Sequence, residues 1–126
     1  MGQASAELNV LLVEADERQR AAVELALALR GHSVTAVTNS VAALDAAAHR
    51  AFPLIIIGQL VPADPAECER QQLSLCRALR GLTDGWFSII LIAIDSAQPQ
   101  RVLAALDAGA TSYLRLPIEI PQFRLR

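Results

Sequence analysis

Five short runs of apolar and β-branched residues recur along the chain: Asn9 to Val13, Ser33 to Val37, Leu54 to Ile57, Ser88 to Ile94 and Ser112 to Leu116. None keeps a strict apolar-polar alternation, the pattern of strands covered on both faces. Helical patterns separate them. The first, Glu17 to Arg30, follows Asp16 as N-cap with Gln19 three residues on, carries a buried stripe through Val23, Ala26, Leu27 and the stem of Arg30, and stops at Gly31. The second runs from Val41 to Arg50 behind the cap candidates Asn39 and Ser40. The third starts at Asp64 as cap, with Pro65 at the first helical position and Glu67 closing a capping box, and Gly81 follows its end. The fourth spans Ala97 to Ala108 behind Ser96, tolerates Pro99 in its first turn and ends at Gly109. Strand and helix alternating in this way predict an α/β fold with right-handed crossovers: a doubly wound, five-stranded parallel sheet with helices on both faces.

Length and composition narrow the possibilities. A chain of 126 residues makes one domain, here residues 9–126 behind a tail of residues 1–8. Although 53% of residues are hydrophobic, no run approaches the roughly 20 apolar residues of a membrane span, and the first eight residues lack the pattern of a secretory signal. A soluble, cytoplasmic protein is expected. The net charge is −2 and the arginines are scattered singly, which argues against a nucleic-acid partner. Cys68 and Cys76 lie on one helical face about 12 Å apart along its axis, too far to bridge, and read as core residues. His32 and His49 have no partner at metal-ligand spacing.

Ligands of doubly wound sheets bind at the carboxyl ends of the strands. The residues there are Glu14, Ala15 and Asp16 after the first strand, Gly58 and Gln59 after the third, Ala93 and Ile94 at the end of the fourth, and Leu116 and Pro117 at the end of the fifth. In these places the chain resembles the response-regulator receiver domain (CheY-like) of two-component signalling, a flavodoxin-like (βα)5 fold. Leu11-Leu-Val-Glu-Ala-Asp-Glu17 is similar to the receiver's first strand and acidic pair, and Leu54-Ile-Ile-Ile-Gly-Gln-Leu-Val-Pro62 to the strand that carries the phosphoacceptor aspartate. Leu75-Cys-Arg-Ala-Leu-Arg80 is similar to the third helix, Ile89-Ile-Leu-Ile-Ala93 to the fourth strand, and Leu106-Asp-Ala-Gly-Ala-Thr-Ser-Tyr-Leu-Arg-Leu-Pro-Ile118 to the fifth strand and its approach. The Ala63 to Ser74 segment is longer than the usual connection, and its role is not legible.

The resemblance implies a working set: a nucleophilic aspartate, an acidic pair holding Mg²⁺, a lysine on the phosphate and a hydroxyl that reports it. Carried over position by position, only Glu14 and Pro117 remain. Ala15 stands for the second acid, Gly58 for the nucleophile, Ala93 for the hydroxyl residue and Leu116 for the lysine, and all 11 basic residues are arginines. Asp16 and Asp64 have sufficient work as helix caps, and Asp95 reads as a cap or loop residue. The expectation is a degenerate pseudo-receiver: no enzyme, no cofactor, Mg²⁺ binding weak or absent, and action through protein-protein interaction. Arg101, Tyr113 and Arg115 are the exposed candidates for an interaction face, against the plainer reading of a solvated helix face beside a half-buried tyrosine. Partners would be other signalling proteins, a downstream domain or a second copy of the chain. Only Gln-Phe-Arg-Leu-Arg follows Pro121, so a short or truncated fifth helix is expected, the chain being the amino-terminal part of a longer multidomain protein. Two other readings remain: a working phosphorelay receiver phosphorylated at a non-standard residue, and a flavodoxin-like cofactor binder. Glu14-Ala-Asp-Glu17 would repel the phosphate of such a cofactor.

Overall fold

The structure, a computed structural model, describes residues 7–61, 64–83, 88–94 and 98–115. Its elements in chain order are β1 (Asn9–Val13), α1 (Glu17–Ala28), β2 (Ser33–Val37), α2 (Ser40–His49), β3 (Leu54–Ile57), α3 (Pro65–Thr83), β4 (Ile89–Ile94), α4 (Pro99–Asp107) and β5 (Ser112–Arg115). All strand pairs are parallel, in the order β2-β1-β3-β4-β5. The expected five-stranded doubly wound sheet is therefore present, and the chain reverses its direction of winding between β1 and β3.

The near-continuous apolar strands follow from burial on both faces. Successive side chains of a strand point to opposite sides, so Leu11 and Val13 enter one core with Ile55, Ile57, Ile90, Ile92 and Ile94. Val10 and Leu12 enter a second with Ile56 and Ala93. Helices α2, α3 and α4 cover the first core through Ala43, Leu75, Cys76, Leu79 and Ala105. Helix α1 covers the second through Val23 and Leu27. At ~25 cal/mol per Å² of apolar surface, each such buried aliphatic side chain contributes roughly 1.5–3 kcal/mol.

The helix ends show which local signals prevailed. Asp16 caps α1, its side chain accepting from the Gln19 N–H at 2.8 Å. Asn39 rather than Ser40 caps α2, accepting from Ala42 N–H at 2.8 Å. Asp64 Oδ2 accepts from Glu67 N–H at 3.0 Å, while the Glu67 carboxylate accepts from Arg70 and Gln71 a turn further on. Helices α1 and α4 both close in Schellman turns. His32 N donates to Leu27 O and Gly31 N to Ala28 O after α1, and Ala110 N donates to Ala105 O and Gly109 N to Leu106 O after α4. Gly31 and Gly109 supply the required positive φ, 89° and 109°.

Three sequence expectations need correction. Helix α1 ends at Ala28, and the turn that follows swings Arg30 out to solvent, so its stem is no part of the buried stripe. Helix α3 runs through Gly81 to Thr83. Gly81 faces open space and lies outside the positive-φ region. The helix-interior penalty of a glycine, about 1 kcal/mol, is outweighed by the anchoring of its neighbour Leu79 in the core. Helix α4 begins at Pro99 with Gln98 in the cap position and no side-chain cap bond. The expected cap Ser96, Asp95, and the expected fifth helix lie outside the described residues.

Candidate functional site

The crevice of a doubly wound sheet opens at the carboxyl ends of the two strands between which the winding reverses, here β1 and β3. Glu14 follows β1 and Gly58 follows β3, which brings them side by side: Gly58 N donates to Val13 O at 2.7 Å, and Ala15 N to Gln59 O at 2.8 Å. Ala93 stands near the end of the neighbouring β4 and is buried. The structure brings Glu14, Ala15, Gly58 and Ala93 to one end of the sheet. Leu116 and Pro117 lie outside the described residues.

Glu14 is fully buried. Its carboxylate is held by two backbone N–H groups from different loops, Asp16 N–H to Oε2 at 2.9 Å and Gln59 N–H to Oε1 at 3.1 Å. The side chain therefore reaches from the end of β1 into the space beside Gly58. A Cβ added to Gly58 would overlap Glu14 Oε1 outright and lie 2.9 Å from its carboxyl carbon. Burial pushes the Glu14 carboxyl above its ordinary value of 4.5. The two backbone hydrogen bonds pull it down, the Asp16 charge raises it further, and Arg20 opposes the rise. The Arg20 guanidinium also donates to the main-chain oxygen of Glu14 at 3.0 Å, tying the first turn of α1 to the end of β1.

A second buried polar group binds the cleft together from the other side. Gln72 of α3 donates from Nε2 to Gly58 O at 2.7 Å and to Ala93 O at 2.9 Å, linking the ends of β3 and β4. Sequence reasoning missed this residue. The signal was present: Gln72 lies four residues from both Cys68 and Cys76 and three from Leu75, on the inward stripe of α3. A polar residue at such a position needs an internal partner.

The open part of the cleft is a shallow cavity of ≈ 280 Å³ lined by Ala15, Asp16, Gln59, Leu60, Val61 and Cys68. Cys68 Sγ accepts from Leu60 N–H at 3.4 Å, fixing the loop after β3 to α3. Cys76 is buried in the core, which pushes its thiol pKa up. The donor set does not fit a magnesium ion, which takes several oxygen ligands. Glu14 is turned inward onto backbone N–H groups, Ala15 has no side-chain oxygen to offer, and Asp16 spends one carboxylate oxygen as the α1 cap. Among the described residues no three His, Cys, Asp or Glu side chains gather where they could hold a metal.

The proposed face on α4 and β5 is less uniform than expected. Arg101 is not an exposed residue: it is mostly buried between α3 and α4, where its guanidinium meets the Glu69 carboxylate at 3.2 Å. Tyr113 is half-buried against the larger core, and Arg115, two residues on and on the same side of β5, is exposed. Leu103 and Leu106 of α4 are exposed beside them in the chain, at 61% and 43%.

No family model matches the chain. It is 31% identical over 118 residues to the uncharacterized transcriptional regulatory protein YkoG of Bacillus subtilis, a match covering 94% of this chain and 48% of the relative. It is also 31% identical over 119 residues to the response regulator MprA of Mycobacterium tuberculosis, with the same coverage of 94% and 48%. The chain thus spans about half the length of these curated relatives. Among solved structures it is similar to the chemotaxis protein CheY4 of Vibrio cholerae, with a TM-score of 0.81, 23% identity and 94% of each chain covered. It is similar also to the receiver domain of the sensor histidine kinase PA1611 of Pseudomonas aeruginosa, solved with a magnesium ion coordinated in the active-site cleft. That likeness has a TM-score of 0.75, 23% identity, and coverage of 94% of this chain and 93% of the other. No helix among the described residues is long and apolar enough to cross a membrane. The chain has the fold of CheY4 and of the other receiver domains it resembles, and over nearly its whole length it is similar in sequence to about half of the response regulator MprA and of the transcriptional regulatory protein YkoG.

Proposed function

We propose that this domain is a pseudo-receiver: a module of a cytoplasmic two-component or phosphorelay protein that takes no aspartyl phosphate and works by protein-protein contact. One observation carries the reading. At the crevice between β1 and β3, the residue placed to offer a nucleophile is Gly58, and its main-chain oxygen is already bound by Gln72. The supporting substitutions agree: Ala15 removes a metal-binding carboxylate, Ala93 the reporting hydroxyl, and Leu116 the phosphate-pairing lysine. Without a covalent switch the domain presents one conformation to its partners, and any control comes from differential binding. The surface formed by α4 and β5 is the proposed contact, with Leu103, Leu106, Tyr113 and Arg115 as its apolar and cationic elements and Arg101 bracing α4 from beneath through Glu69. The partner is another signalling protein, a second copy or a further module of a longer chain, the last in keeping with relatives about twice this length.

The test is incubation with a small phosphodonor and Mg²⁺, followed by intact mass. The mass is expected to stay unchanged. A phosphoryl adduct labile to hydroxylamine would show an acyl phosphate and overturn the reading.

A further inference from the structure

We infer that the Glu14 carboxylate is a built-in occupant of the acceptor position, interlocked with Gly58, so that any side chain returned to position 58 must displace Glu14 from the Asp16 and Gln59 amides that hold it. This rests on the pseudo-receiver reading and adds a physical cost to its reversal.

Three observations carry it. The first is volume. The first atom of any side chain at position 58 would collide with Glu14 Oε1 and crowd its carboxyl carbon at 2.9 Å, with the Val13 carbonyl at 3.3 Å on another side. The second is anchorage. Glu14 cannot swing aside at little cost, because its two oxygens take N–H bonds from Asp16 and Gln59, and withdrawing it would leave both amides without that acceptor. The third is reach. An aspartate at position 14 is one methylene shorter, and the extra length of glutamate is what carries Oε1 across the crevice from the end of β1 to the Gln59 amide after β3. A long side chain at 14 and none at 58 are two halves of one packing arrangement. Charge adds to volume: an aspartate at 58 would set a second carboxylate against a buried one, with Asp16 close by and Arg20 the cation acting on Glu14.

The experiment is a double-mutant cycle on this chain, read by chemical-denaturation midpoints of wild type, G58A, E14A and E14A/G58A. The expected result is a clear loss for G58A in the presence of Glu14, and no loss or a gain for the same substitution in the E14A background, where the new methyl group fills vacated space. Equal losses in both backgrounds would overturn the inference and assign the cost to the Val13 carbonyl or the backbone. Amide exchange of G58A alone gives an independent reading: displacement of Glu14 should speed exchange at Asp16 and Gln59 while Ala43, capped by Asn39 O, keeps its rate. Unchanged exchange at both sites would equally overturn the inference. The cycle measures space and not chemistry. A phosphoryl adduct on the wild type would sink the pseudo-receiver reading and leave the cycle standing, whereas a flat cycle would sink the interlock and leave position 58 without a nucleophile.

Discussion

A carboxyl group shut off from water costs free energy to ionise unless hydrogen bonds compensate, and at Glu14 the compensation is incomplete. Two backbone N–H groups and Arg20 favour the anion, yet desolvation outweighs them and the pKa rises above 4.5. The linkage sign follows. The folded state binds the proton more tightly than the unfolded chain, so the contribution of Glu14 is fully present below about pH 4.5 and is lost as pH rises through the raised folded value. Glu14→Gln removes the titration while keeping shape. Its stability relative to wild type should therefore increase with pH across that window and level off above it. Denaturation midpoints of the two proteins between about pH 4 and pH 8 check this; parallel curves would show that Glu14 titrates alike in both states. Such a role is half legible in sequence. Position 14 could be placed at the end of the first strand from apolar patterning alone, but a side chain turned inward onto Gly58 depends on a contact 44 residues away in sequence, read only from the folded chain.

Among the elements, the strands were the most legible and α3 the least. Four residues of β3, Leu54-Ile-Ile-Ile57, admit no reading but a strand covered on both sides, whereas α3 is long enough for tertiary packing to override its local stop signal at Gly81. The same helix supplies two polar ties whose partners only the folded chain reveals. Arg80 Nε donates to Gly109 O at 2.7 Å, with its stem packed where a Cβ on Gly109 would lie, so α3 secures the turn between α4 and β5. Thr111 in that turn accepts from Ile90 N–H at 3.0 Å, joining it to β4. Gln72 secures the opposite end of the sheet by bonding Gly58 O and Ala93 O. Gln72→Leu keeps the volume but strips a donor from both carbonyls. The expected cost is about 1–3 kcal/mol, read as a lower urea midpoint with an unchanged slope. A neutral result would mean that the two carbonyls find other donors and that α3 does not brace the cleft.

The site belongs to the molecule as a whole, because the crevice exists only where a parallel sheet reverses its winding, and three strands with one helix must converge to form it. Its location was legible for that reason: topology alone says which strand ends to inspect. What the assembled ends can bind is decided by their oxygens, and here one carboxylate is consumed internally, one position is an alanine and another carboxylate caps α1. Metal binding to the folded state would stabilise it by mass action, by about 2.7 kcal/mol at a hundredfold excess over Kd, and so raise the melting temperature. For a domain of this size about 1 kcal/mol corresponds to roughly 4 °C, so a competent site at saturating Mg²⁺ would shift the transition by about 10 °C. This domain should melt at the same temperature with millimolar Mg²⁺ or with a chelator, since among the described residues no group of three His, Cys, Asp or Glu side chains gathers to hold the ion. The comparison is made by calorimetry at constant ionic strength, so that general screening of the 13 acidic residues does not imitate binding. A rise of several degrees that saturates with Mg²⁺ would reveal a cation site among the strand ends and would reopen the case for phosphoryl chemistry.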